Sequence, residues 1–113
     1  MRIVADEKVR EHVRSRGGDL WVWLDPHHGV VGSHIYLESH TEPPGTSRET
    51  KFTRSSRRPH RFNRLESDGI TVHYDWGHRE PPSELVLELK GIAHKRVEAY
   101  WDGCIFVEES RAN

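Results

Sequence analysis

The chain has 113 residues, 34% apolar and 31% charged, with 17 Lys and Arg against 18 Asp and Glu. That length fits one domain with a core of its own, and the near-neutral total excludes a surface given over entirely to nucleic acid. The single cysteine, Cys104, excludes an intramolecular disulfide and any site that needs two thiolates from one chain.

Residues 1–4 read as a short leading strand. Asp6 is placed to cap a helix, its carboxylate accepting the free amide protons of the first turn. Val9 and Val13, spaced i, i+4, give that helix a narrow apolar stripe, and Gly17-Gly18 supplies a left-handed stop. Residues 19–25 follow as a strand, with Leu20, Val22 and Leu24 on one face and Trp21 and Trp23 on the other, so both faces need cover; Pro26 ends it. Gly29 and Gly32 punctuate a histidine loop over 27–33, after which Ile35 and Leu37 alternate with His34, Tyr36 and Glu38 as a half-buried strand.

Pro43-Pro44-Gly45 opens a loop into an arginine-rich stretch over 46–64, where Arg48, Lys51, Arg54, Arg57, Arg58, Arg61 and Arg64 face only Glu49. Phe52 and Phe62 each mark a short strand within it. Ser67-Asp68-Gly69 is a turn, and Ile70, Val72 and Tyr74 then alternate with Thr71, His73 and Asp75 as a strand. Trp76, in a turn between Asp75 and Gly77, is expected to expose its ring to a ligand or a second copy. After Pro81-Pro82, Leu85, Leu87 and Leu89 alternate with Val86, Glu88 and Lys90, and period two favours a strand over a helix. Val97, Ala99 and Trp101 continue the pattern; Asp102-Gly103 suits a type I′ turn, with 104–107 returning as a closing hairpin and 110–113 as a frayed tail.

These elements predict an α+β fold, one N-terminal helix packed on a β-sandwich or partly closed β-barrel of about six to eight strands. One domain is expected over 1–109. The longest apolar run, residues 20–24, is too short to span a membrane, and residues 1–4 lead into charged Asp6-Glu7-Lys8 rather than a secretory segment. A soluble, cytoplasmic protein is the expectation.

The order of helix, Trp-rich strand, glycine-containing loop and terminal hairpin resembles the HesB/IscA-like domain family of iron-sulfur cluster biosynthesis. The likeness is carried by residues 6–18, by 20–25, by His28-Gly29-Val30-Val31-Gly32-Ser33-His34-Ile35-Tyr36, by Asp68-Gly69-Ile70 and by Trp101-Asp102-Gly103-Cys104-Ile105-Phe106, with 46–64 unmatched. Cluster-binding members of that family place a cysteine in the glycine loop and a Cys-x-Cys pair near the C-terminus. Only Cys104 stands here. The resemblance therefore implies a divergent member that kept the scaffold and lost the ligand set: a non-enzymatic accessory domain that holds no cluster as a monomer. Cys104 with His27 and His28 would contribute to an iron-sulfur cluster or a divalent metal only across a subunit interface, as in a homodimer; otherwise no cofactor is expected.

His27, His28, His34 and His40 are dense enough to suggest a metal site, yet adjacent histidines in an extended segment point to opposite sides, and exposed loop histidines explain the pattern as well. Cys104, beside Ile105 and Phe106, also reads as a small buried hydrophobe. Arg54, Arg57, Arg58, Arg61 and Arg64 give an alternative function, binding nucleic acid or an acidic protein partner, with Phe52 and Phe62 as stacking faces. No complete catalytic signature occurs, so an enzyme is not expected.

Overall fold

The computed structural model describes residues 1–24, 30–31, 34–35, 37–44 and 61–101. The described elements are β1 (Arg2–Val4), α1 (Glu7–Ser15), β2 (Asp19–Leu24), β3 (Val30–Val31), β4 (His34–Ile35), β5 (Leu37–His40), β6 (Asn63–Ser67), β7 (Ile70–Asp75), β8 (Glu84–Lys90) and β9 (Arg96–Trp101).

The helix forms where local chemistry asks for it. The Asp6 carboxylate accepts the Val9 amide at 3.0 Å, closing the N-terminus. Val9 and Val13 are fully buried. At the other end Gly17 and Gly18 take φ of +117° and +92°. Their amides donate to the carbonyls of Arg14 and Val13, a Schellman closure that a side chain at either glycine would strain.

This helix packs on strands of two mixed sheets. The first has the order β5-β2-β7-β6, with β2 and β7 parallel and both outer pairs antiparallel. The second has the order β1-β8-β9, with β1 parallel to β8 and β8 antiparallel to β9; β3 and β4 make a separate two-stranded ladder. One face of the first sheet presents Leu20, Val22, Ile70 and Val72 to a core shared with Val9 and Val13 of α1 and with Ile3, Leu85, Leu87, Val97 and Ala99 of the second sheet. Arg10 is buried in this layer with no carboxylate partner among the described residues. Its guanidinium donates to the Ala5 carbonyl and to the carbonyl and hydroxyl of Ser67, at 2.6 to 3.3 Å, and ties α1 to the β6–β7 turn.

The strands read over 19–25, 70–75, 85–90 and 97–101 are present as β2, β7, β8 and β9, to within a residue at their ends. The barrel alternative is not: β5 and β9 lie against each other but share no ladder, so the sheets stay open among the described residues. The parallel pairs and strand β6 were not foreseen. The sequence Asn-Arg-Leu-Glu-Ser carries a single apolar residue and becomes a strand because its backbone completes the edge of β7. Trp76 also departs from expectation. It is 4% exposed, stacked on Tyr74 and edge-on to Trp101, so it belongs to the core rather than to a binding surface. The 104–107 return strand, the 110–113 tail and a strand at Phe52 lie outside the described residues, whereas Phe62 immediately precedes β6. No helix of the described residues is long and apolar enough to cross a membrane.

Candidate functional site

Of the site residues expected from the sequence, Cys104, His27, His28, Arg54, Arg57 and Arg58 lie outside the described residues. Arg61 and Arg64 are described and exposed, at the β6 edge of the first sheet. The Arg61 amide donates to Asp75 at 3.2 Å, and the Arg64 guanidinium lies 3.8 Å from Glu66 on its own strand. His40 packs on Trp23, with ring centroids 5.3 Å apart, and its Nε2 is 3.1 Å from the Glu38 carboxylate. Among the described residues, no three His, Cys, Asp or Glu side chains converge as a metal would require.

The face of the first sheet turned away from the core is a balanced polar and aromatic surface. Register and alternation put His40, Trp21, His73 and Arg64 in one row across four strands, with Glu38, Trp23 and Asp75 in the next. Trp21 stacks flat on His73 at 4.6 Å, and His73 Nε2 is 2.9 Å from the Asp19 carboxylate. Trp23 is wholly buried, with Phe62 edge-on to it at 6.2 Å. His73, His40 and Arg64 of this face stand beside Asp19, Glu38 and Glu66.

A second region is not balanced. Beside the open edge of β5 lies a cleft of about 560 Å³, lined by His12 and Arg16 of α1, Leu20 of β2, Ser39 and His40 of β5 with Thr41 beyond it, Ala93, His94 and Lys95 of the β8–β9 turn, and Arg96 and Val97 of β9. Each wall follows from local structure. His12 and Arg16 are one helical turn apart, flanking the apolar stripe of Val9 and Val13. His94-Lys95-Arg96 is carried by a turn that needs Gly91. That residue has φ +97°, and a Cβ there would stand 2.3 Å from the His94 carbonyl oxygen.

Three cations and three imidazoles thus surround a floor of Leu20, Ala93 and Val97, and no carboxylate is among the described lining residues. Glu98 already holds Arg96, at 2.8 and 3.2 Å, and Glu38 holds His40. Arg16 and Lys95 have no ion-pair partner among the described residues. The Ser39 hydroxyl is buried on the wall with no hydrogen-bond partner among them. Burial, then the neighbouring charges of Arg16 and Lys95, push the His12 pKa below its ordinary value. The C-terminal end of α1 would itself repel an anion, but the glycine closure has already engaged its last carbonyls. The volume suits a small organic ligand, and the lining suits one with a negative group and an apolar body.

Sequence reasoning missed His12, Arg16, His94, Lys95 and Arg96. A signal existed in the basic run His94-Lys95-Arg96 following Gly91-Ile92-Ala93, but nothing in the order of residues brings that turn to α1 and β5. No family model matches this chain, and comparison with curated proteins and with solved structures likewise finds no match.

Proposed function

We propose that this protein is a non-enzymatic binding domain whose basic cleft takes a small anionic ligand, a phosphate or carboxylate group joined to an apolar body. The observation that carries the reading is the pairing pattern: Arg16 and Lys95 have no ion-pair partner among the described residues around an apolar floor, while His40, Arg64 and His73 of the neighbouring sheet face stand beside Glu38, Glu66 and Asp19. A charge-assisted hydrogen bond to such a group is worth about 1.5–3 kcal/mol, so each free cation commands roughly a tenfold or greater change in affinity. Calorimetric titration with phenyl phosphate should show saturable one-to-one binding, weakened by salt and lost in Arg16→Gln/Lys95→Gln. Equal affinity in that variant would refute the assignment.

The arginine-rich segment supports a rival, the binding of nucleic acid or an acidic partner through Arg54, Arg57, Arg58, Arg61 and Arg64. Glu66 beside Arg64 weighs against it. A single-stranded oligonucleotide run beside phenyl phosphate separates the two, because tight, strongly salt-dependent oligonucleotide binding untouched by Arg16→Gln/Lys95→Gln belongs to the rival. A HesB/IscA-like scaffold is a further reading, supported by the sequence resemblance alone. On that scaffold Cys104, His27 and His28 would reach a metal only across a subunit interface. Anaerobic reconstitution with iron and sulfide should then leave the monomer colourless.

A further inference from the structure

We infer that the cleft admits its anion together with a proton: a tetrahedral dianion, sulfate or a phosphate ester, enters as the His12 imidazole takes up charge. This rests on the anion-binding reading above and specifies how that site is controlled.

The argument is one of crowding. On its own helix His12 has Arg16 one turn ahead and Lys8 one turn behind, with Glu11 adjacent in sequence. From the β8–β9 turn His94 and Lys95 line the same space, and from β9 comes Arg96, held by Glu98. From β5 comes His40, held by Glu38. β8 contributes Glu88, which lines the adjoining hollow with Asp6, Lys8 and Lys95. β2 contributes Asp19, which is engaged by His73.

The carboxylates at hand are therefore attached to other cations or lie outside the lining, and a proton on empty-cleft His12 adds a like charge beside Arg16 and Lys95. Burial, and after it that repulsion, account for the depressed pKa of His12. A dianion opposes that repulsion, supplying two negative charges and an acceptor for the imidazolium N–H. Linkage requires the converse: whatever favours protonation of His12 strengthens the anion's hold.

Sulfate is the proper probe because it stays dianionic across the working range, so any pH dependence belongs to the protein. At fixed ionic strength, its association constant should rise about tenfold between pH 7.5 and pH 5.5, the signature of roughly one proton taken up over part of that range. His12→Gln should still bind sulfate but lose most of that slope. Direct NMR titration of His12 in the unaltered protein gives a second readout, its midpoint moving upward at saturating sulfate. Sulfate binding that is independent of pH, a slope unchanged in His12→Gln, or a His12 midpoint indifferent to sulfate would each overturn the proton coupling and leave the anion site standing. Absence of sulfate and phenyl phosphate binding at every pH would instead remove the site itself.

Discussion

The outward face of the β5-β2-β7-β6 sheet and the cleft beside β5 use similar side chains to different ends. On the sheet face His73 sits between the Trp21 ring and the Asp19 carboxylate, and Arg64 is beside Glu66. In the cleft His12 sits among cations, and Arg16 and Lys95 have no ion-pair partner among the described residues. A charge paired within the fold contributes to holding strands in register and has little left to offer a ligand. A charge left unpaired at a concave surface contributes little to stability and raises the local potential for an incoming anion. His40 belongs to both regions, and the pairing with Glu38 aligns it with the first.

If this contrast is right, substitutions on the sheet face should cost stability and those in the cleft should cost binding. The largest effect is expected at Trp23, fully buried beneath His40 and Phe62. Trp23→Ala should lower the unfolding free energy by about 3–5 kcal/mol in urea titration. Gly91→Ala comes next, because its Cβ meets the His94 carbonyl in a left-handed backbone. About 1–3 kcal/mol should be lost, and phenyl phosphate affinity with it, since the turn that presents His94 and Lys95 must shift. Asp19→Asn weakens the His73 contact and should cost about 0.5–1.5 kcal/mol while leaving anion affinity unchanged. Arg16→Gln/Lys95→Gln is the mirror case, with stability within about 0.5 kcal/mol of the parent and binding lost.

The pH dependence of stability sharpens the same contrast. His12 is depressed in the folded protein, so between its folded value and the unfolded value near 6.5 the unfolded chain binds more protons. Its contribution is intact above about pH 6.5 and is lost as pH falls through the folded value. Thermal unfolding without anion should show this loss, and His12→Gln should remove it; an identical acid profile in the variant would break the argument.

Much of the fold was legible because its signals are local. Period-two runs at 70–75, 85–90 and 97–101 marked the strands, Asp6 and Gly17-Gly18 marked both ends of α1, and Asp68-Gly69 marked a turn that takes φ of +43° and +92°. The missing pieces are long-range. β6 lacks an alternating pattern and is a strand through its pairing with β7. The parallel registers of β1 with β8 and β2 with β7 leave no trace in local composition. Trp76 is flanked by Asp75 and Gly77, which suggested exposure, yet Tyr74 and Trp101 enclose it. The cleft was hidden for the same reason: its histidines and cations come from α1, β5 and the β8–β9 hairpin, which only the tertiary arrangement brings together. The histidine and arginine density that drew attention to 27–34 and 46–64 falls mostly on residues outside the described ones.

The most direct test is a backbone amide NMR titration with phenyl phosphate at low salt. Saturable shifts concentrated at His12, Arg16, Ser39, His40 and residues 93–97, and abolished by Arg16→Gln/Lys95→Gln, are the predicted result. Shifts centred on residues 61–66, or none that saturate, would contradict it.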